Sequence, residues 1–273
     1  MIPKIIHYVW LGGKSIPNHL QQFIDGWKKK MPDYKIVRWD ESNFPISEHP
    51  FVQEAIKNKR WAFAADYIRI YALMNMGGIY MDTDVKVLRR FDDFLNHSFF
   101  TSYENHYSNF EYKFLYGRYI NKDGTKIKGV RCIPGVGLMS AVIGSEKGGT
   151  LISEMYQFYH SQKYYNKDGS DFCVLAPWMQ SYCAEKFGLK YLDIKQELAD
   201  RIVIYPSDVF TVNTGKITTN SVTIHVENAA WIKGGNKYRR MLAKIPTVQT
   251  IYRVFHLIFK AHYYRSDINE GLI

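Results

Sequence analysis

The stretch Gly77-Gly78-Ile79-Tyr80-Met81-Asp82-Thr83-Asp84-Val85-Lys86-Val87-Leu88-Arg89 decides how this chain is read. A glycine pair leads into a short apolar run, Ile79 to Met81, and that run ends in Asp82-Thr83-Asp84. In a strand, residues two apart point to the same face. A sharp bend just past a strand end instead lets one carboxylate reach forward while its neighbour's backbone turns. Both arrangements set two hard oxygen ligands close together at a sheet edge. That suits a divalent cation that keeps positions for water and for phosphate oxygens, as Mg²⁺ and Mn²⁺ do. An Asp-x-Asp pair alone is common, and most instances are solvated loop carboxylates. The glycines before this one, and the segment upstream, give it weight.

That segment, Arg60 to Met76, carries apolar residues at helical spacing (Phe63, Tyr67, Ile70, Tyr71, Met74) and has no Gly or Pro before Gly77. Asp66 and Arg69 stand three apart and so share a helix face. One reading is a solvated ion pair worth about 0.2–0.5 kcal/mol. The other is a carboxylate and a guanidinium fixed in a cleft, where the Arg fork donates, the Asp accepts, and the two together read a vicinal diol. The small Ala64 and Ala65 and the apolar remainder of the helix favour the cleft.

Outward from this centre, Lys4 to Trp10 reads as a strand, followed by Leu11-Gly12-Gly13. An apolar strand ending in glycines suits a central position whose carboxyl edge faces a ligand crevice. Trp10 at that edge is either a core residue or a ring platform. Tyr34–Arg38 reads as another strand, with Trp39 after it in the core, and Trp27-Lys28-Lys29-Lys30 as the end of a surface helix whose dipole favours the lysines. A glycine-rich block from Gly135 to Gly148 precedes a helix around Thr150–His160; a further helix holds Pro177-Trp178-Met179, and Val222–His225 is a late strand with His225 at its end. The Tyr- and Asn-rich stretch between Tyr103 and Tyr119 is either an acceptor lid or variable surface.

The chain's 273 residues allow one large α/β domain or a domain with an appendage. Three cysteines, Cys132, Cys173 and Cys183, lack ligand-pair spacing and read as reduced core residues, neither a disulfide framework nor a zinc site. The N-terminus does not read as a signal peptide, and no 18-residue apolar run occurs, so a cytoplasmic location is expected. The net charge of +10 is uneven: Lys233 to Arg265 holds eight Lys/Arg and no acid, interleaved with Tyr252, Phe255, Phe259 and Tyr263. Such a segment can lie on an anionic membrane, dock on the domain, or meet nucleic acid. No nucleic-acid motif accompanies it, and no nucleic-acid partner is expected.

Three blocks carry a resemblance. Ile2-Pro3-Lys4-Ile5-Ile6-His7-Tyr8-Val9-Trp10-Leu11-Gly12-Gly13, Phe63-Ala64-Ala65-Asp66-Tyr67-Ile68-Arg69 and Gly77-Gly78-Ile79-Tyr80-Met81-Asp82-Thr83-Asp84 stand in the order and spacing of the family 32 glycosyltransferases. These are the DXD sugar-binding region proteins, with bacterial capsular and lipopolysaccharide transferases and yeast α-1,6-mannosyltransferases among them; the clostridial glucosylating toxins are similar at a distance. The blocks span roughly residues 1–95. Thr223-Ile224-His225-Val226-Glu227-Asn228-Ala229-Ala230-Trp231 resembles a later family block, with Val226 and Ala230 departing from its His and Ser. Ala176-Pro177 stands where relatives carry Gly-Pro.

The resemblance implies an α/β, GT-A-like nucleotide-sugar-binding fold: a Rossmann-like mixed sheet flanked by helices over residues 1–235, with a basic helical tail over 236–273. It implies a retaining transferase that moves a hexose from a nucleotide diphosphate sugar, UDP favoured, with Mn²⁺ or Mg²⁺. By it, Trp10 stacks on the base, Val9 offers a backbone contact, and Tyr80, Asn228 and Trp231 line the donor. Asp66, Arg69, Asp82 and Asp84 form the catalytic set. Asp84 coordinates the metal directly, Asp82 reaches it through water or touches the ribose, and His225 is a further ligand. Front-face displacement requires no carboxylate nucleophile. The implied acceptor is a glycan, lipid-linked at the inner face of the membrane, in capsule, O-antigen or lipopolysaccharide synthesis. A toxin-like enzyme acting on a protein side chain, and a non-catalytic module binding sugar nucleotide or membrane, are the rivals.

Overall fold

The structure is a computed structural model, and it describes residues 1–105, 112–130, 132–133, 135–164, 175–212 and 217–226. Asn228, Trp231, Cys173, the 235/236 boundary and the basic tail lie outside the described residues. Among the described residues, no helix is long and apolar enough to cross a membrane.

The chain opens with β1 (Ile5–Val9), α1 (Asn18–Lys30) and β2 (Lys35–Trp39), followed by α2 (Pro50–Lys57), α3 (Trp61–Met76) and β3 (Gly78–Met81). Then come β4 (Val85–Val87), β5 (Phe99–Asn105), β6 (Val136–Leu138), β7 (Val142–Ser145), α4 (Thr150–Ser161) and α5 (Ala176–Glu185). The short strands β8 (Gln196–Glu197), β9 (Ile202–Tyr205), β10 (Phe210–Val212) and β11 (Thr223–His225) complete the described elements. The main sheet runs β2-β1-β3-β7-β5-β9-β8, with β6 on β5, and a smaller sheet runs β10-β11-β4. β1 pairs parallel with both β2 and β3, while β7 is antiparallel to β3 and to β5. This is the expected mixed α/β sheet with helices on its faces.

Alternation along β1 divides the interior in two. Val9 joins the core beneath α2, α3 and α4, with Tyr67, Ile70, Leu73 and Tyr159. Ile6 and Tyr8 join the opposite core, with Ile24, Trp27, Val85 and Phe210. Trp39 is buried, as its strand-end position implied. Lys28, Lys29 and Lys30 end α1 in solvent, but Trp27 itself is fully buried, and its indole N–H donates to the carbonyl of Val85 at 2.8 Å.

The glycine pair ends α3 and passes the chain through a tight gap. Gly77 and Gly78 have φ of +65° and +114°, values that side chains rarely adopt. A Cβ on Gly78 would lie 2.6 Å from the carbonyl oxygen of Ile5, and one on Gly77 would lie 2.6 Å from the backbone nitrogen of Lys147. The close approach lets β3 seat directly against β1, and it delivers Asp82 to the carboxyl edge of the sheet.

The stretch read as an acceptor lid or variable surface differs from both readings where it is described. Tyr103 lies on β5 and Tyr119 in the connection; both are fully buried and pack with Leu115, Ile120 and Tyr191 in a small core of their own. The hydroxyl of Tyr112 donates to the backbone of Tyr191 at 2.5 Å and lies 3.1 Å from that of Tyr103. Aromatic content that reads as polar loop in sequence is here the filling of a subsidiary core.

Candidate active site

β3 stops at Met81, and the next four residues form a tight turn: the N–H of Val85 donates to the carbonyl of Asp82 at 3.0 Å. The N–H of Asp82 is held by the carbonyl of Ala141 at 2.9 Å. Of the two arrangements open to Asp82-Thr83-Asp84, the bend past the strand end is the one adopted. β4 leaves the turn and pairs antiparallel with β11, opposing Val85 to His225. That register sets the imidazole against the turn. His225 Nε2 lies 3.1 Å from Asp84 Oδ1 and 4.0 Å from Asp82 Oδ2.

One ligand atom from each of Asp82, Asp84 and His225 falls within 4.8 Å of the others. Two carboxylates and an imidazole make a mixed O/N donor set suited to Mn²⁺ and accessible to Mg²⁺. The electrostatics agree with that fit. Burial works against a charged imidazole, yet the hydrogen bond to Asp84 and the charges of Asp82, Asp84 and Glu104 raise the pKa of His225 to about 9. A pocket negative enough to hold a proton on a buried histidine is equally disposed toward a metal cation.

Behind this cluster lies the pair on α3. Arg69 Nη2 is 2.7 Å from Asp66 Oδ1 and 3.5 Å from Asp82 Oδ1, while Nη1 donates to the carbonyl of Ser140 at 2.6 Å. Arg69 is only 5 % exposed, which removes the solvated-pair reading. Burial opposes its charge, but Tyr80, Asp82 and Asp66 outweigh that and raise its pKa. Burial also lifts the Asp66 carboxyl to about 6, although Arg69 pulls it down. Arg69 Nε is buried with no hydrogen-bond partner among the described residues.

Tyr80, expected among the donor contacts, is 1 % exposed. Its hydroxyl donates to Asp82 Oδ1 at 2.7 Å, and its ring lies 4.6 Å from the Arg69 guanidinium. It ties the Asp82 carboxylate to the arginine. Val9 and Trp10 stand at the carboxyl end of β1, where the Trp10 indole N–H donates to the carbonyl of Lys14 at 2.7 Å. Cys183 is a buried core thiol and Cys132 is half-buried.

Sequence reasoning missed several supports of the site: Ser140 and Ala141, which act through their carbonyls, and Trp27 and Glu104. Backbone acceptors leave no residue-type signal. Tyr80 carried one, since two residues before Asp82 on a strand puts both side chains on the same face.

A family profile described as "glycosyltransferase sugar-binding region containing DXD motif" matches residues 17–101. The chain is 34% identical over 114 residues to an uncharacterized glycosyltransferase of Acanthamoeba polyphaga mimivirus, covering 38% of this chain and 44% of that protein. It is 31% identical over 99 residues to a mannosyl phosphorylinositol ceramide synthase of Saccharomyces cerevisiae, covering 35% of this chain and 26% of that one. The chain thus spans less than half the length of these curated relatives. Among solved structures, the PaToxG glycosyltransferase superposes with a TM-score of 0.44 at 15% identity, over 68% of this chain and 69% of that one. The galactosyltransferase LgtC superposes with a TM-score of 0.42 at 13% identity, over 97% of this chain and 98% of that one. The profile match covers Asp66, Arg69, Asp82 and Asp84 together, so over residues 17–101 the chain is similar to the glycosyltransferase sugar-binding regions that contain the DXD motif.

Proposed function

We propose that this chain is a metal-dependent, retaining transferase that moves a hexose from a nucleotide diphosphate sugar, UDP-linked by preference, to a glycan acceptor in bacterial surface polysaccharide synthesis. The observation that carries the reading is the convergence of Asp82, Asp84 and His225 within 4.8 Å, backed by the buried Asp66–Arg69 pair. When bound by those three side chains, Mn²⁺ or Mg²⁺ supplies counter-charge to a diphosphate leaving group. Arg69 and Asp66 grip sugar hydroxyls, and the unpartnered Arg69 Nε is a donor still available to an oxygen. Trp10 and Val9 take the base, and Asn228 and Trp231 are assigned to the diphosphate. In the transfer, the bond from the anomeric carbon to the phosphate oxygen breaks as the bond to the acceptor oxygen forms on the same face. The acceptor's proton passes to the departing phosphate, so no protein carboxylate needs to act as a nucleophile.

The name of the yeast relative describes a mannosylated lipid, which supports a lipid-linked acceptor and makes GDP-mannose the second donor to test. A lipid-linked glycan would place the chain in the cytoplasm at the inner membrane face, with the basic 236–273 segment on anionic lipid.

A thermal-shift panel of UDP- and GDP-sugars with Mn²⁺ tests the reading. One sugar nucleotide should stabilise the protein and be hydrolysed slowly in a metal-dependent manner, with both effects lost in Asp84→Ala. Stabilisation by GDP-mannose alone would overturn the UDP preference. Binding without hydrolysis or transfer would leave a sugar-nucleotide module, and transfer to protein but not to lipid-linked glycan would favour the toxin-like enzyme.

A further inference from the structure

We propose that Glu104 binds the acceptor: its carboxylate accepts a hydrogen bond from a hydroxyl of the incoming glycan and holds the attacking oxygen beside the diphosphate. This role rests on the transferase reading above and extends it to the acceptor side.

Strand direction brings Glu104 to the site. β7 is antiparallel to both β3 and β5, so β3 and β5 run the same way. Glu104, next to last in β5, therefore reaches the sheet edge to which β3 delivers Asp82. Alternation gives Phe100, Ser102 and Glu104 one face of β5. On that face the Phe100 ring lies 5.5 Å from that of Phe210, and Ser102 Oγ donates to the Phe210 carbonyl at 3.2 Å. β10 in turn pairs with β11, matching Phe210 to Thr223 and Val212 to His225. The step from Ser102 to Glu104 follows the step from Thr223 to His225, and the charge of Glu104 is among those that act on the imidazole.

On its other side Glu104 stands in register with Gly137 of β6. A Cβ on Gly137 would lie 2.8 Å from the carbonyl oxygen of Pro177, so the first turn of α5 presses on the ladder at this level. Glu104 is thus set between the Asp82–Asp84–His225 cluster, of which it is not a member, and α5. The Asp66–Arg69 pair meets the cluster at Asp82, whereas Glu104 meets it at His225.

Displacement on one face requires the acceptor oxygen to approach beside the departing phosphate oxygen, so the acceptor must lie against the diphosphate. The donor hexose is gripped from the Asp82 side, which leaves the His225 side for the acceptor. A carboxylate takes hydrogen bonds from hydroxyls, and one that is only 8 % exposed is held in a single place. The acceptor's proton still passes to the departing phosphate; Glu104 stays a carboxylate and forms no bond to the sugar. Its contribution is the orientation of the attacking group. A water molecule that takes the acceptor's place in slow donor hydrolysis is oriented by the same carboxylate.

The test uses the full chain as wild type, Glu104→Ala and Glu104→Gln. It follows Mn²⁺-dependent hydrolysis of the sugar nucleotide picked out by the thermal-shift panel, with Mn²⁺ affinity from calorimetry and thermal unfolding as the check of the folded state. Glu104→Ala should lower the kcat of hydrolysis roughly tenfold or more, with donor KM and Mn²⁺ affinity nearly unchanged. Glu104→Gln keeps the size and one accepting oxygen without the charge, and should recover part of kcat; its kcat and KM decide the matter if the alanine variant fails to fold. An unchanged kcat overturns the role and leaves the transferase reading standing. So does a fall in kcat matched by an equal fall in Mn²⁺ affinity, which would put Glu104 to work through the cation. A wild type that neither binds nor hydrolyses any sugar nucleotide overturns the transferase reading itself.

Discussion

The indole of Trp27, near the end of α1, donates a 2.8 Å hydrogen bond to the backbone carbonyl of Val85, the residue immediately after Asp84. A fully buried tryptophan thereby fixes the strand that leaves the Asp82–Asp84 turn. Trp27→Phe keeps most of the ring and removes the donor, which should cost about 1 kcal/mol or somewhat more, since a buried carbonyl loses its partner. The melting temperature should fall by a few degrees. A Mn²⁺ titration should show weaker binding in the folded variant, because β4 sets the register with His225. Unchanged Mn²⁺ affinity would show that the turn holds its shape without the anchor.

Removing His225 tests the cluster directly. His225→Ala should lower Mn²⁺ affinity at least tenfold and lower the stabilisation by sugar nucleotide with it, and below about pH 9 the metal-free melting temperature should fall as well, because Asp84 loses its charged partner. Asp84→Ala should do the same and abolish donor hydrolysis. Equal Mn²⁺ affinity in His225→Ala would remove the imidazole from the donor set and leave the carboxylates alone.

Arg69 is held by Asp66, Asp82 and the Ser140 carbonyl while almost fully buried. Arg69→Ala should destabilise the protein by about 3 kcal/mol, because Asp66 is left charged without its partner. The loss should be smaller at pH 5 than at pH 8, where Asp66 cannot escape by taking a proton: its carboxyl already sits near 6 with the arginine present. Chemical denaturation at the two pH values measures the difference. Arg69→Lys should recover part of the stability but not donor affinity, since an ammonium lacks the planar fork.

His7 predicts the pH dependence of stability. Its ring is buried between β2 and β3, where Nδ1 accepts from the Trp39 indole at 3.1 Å and Nε2 faces the Gly77 carbonyl at 2.8 Å. The neutral tautomer with a proton on Nε2 satisfies both partners, whereas a second proton on Nδ1 would confront a donor. Burial accordingly pushes its pKa down to about 4 from the ordinary 6.5. Below pH 6.5 the unfolded chain takes up a proton that the folded chain refuses. The stabilisation is therefore whole above pH 6.5 and is lost as the pH falls toward 4, on the order of 3 kcal/mol in all. Denaturant midpoints between pH 4 and 8 should show the slope, and His7→Gln should lose that part of it.

Much of this was legible in the sequence because short-range patterns carried it. The Asp66–Arg69 spacing, the glycine break and the run into Asp82 and Asp84 are local features. Helix and strand periods convert such features into shared faces, and α3 and β3 form where those periods put them. The meeting of His225 with Asp84 was suggested only by resemblance. Nothing in the local sequence states that β11 pairs with β4, since pairing across some 140 residues is set by register and packing of the whole domain. The jobs of Trp27 and Tyr80 were obscure for another reason: an aromatic in an apolar run looks like core, and core these two are. Their polar tips gain meaning only once a neighbour from elsewhere is known. The tyrosines around Tyr112 went the opposite way, because a polar composition does not reveal that their rings close on one another.

The late arrival of β11 also bears on the protein's synthesis. A ribosome moving along the message makes both aspartates, the arginine and the glycine gap long before it reaches Thr223–His225. Until that last strand is added, the nascent chain holds a pair of carboxylates with no imidazole opposite them. The Asp82–Asp84 turn thus meets its histidine only when one of the final described elements is translated. A truncated or stalled product would carry the signature motif intact yet lack the histidine that closes its site.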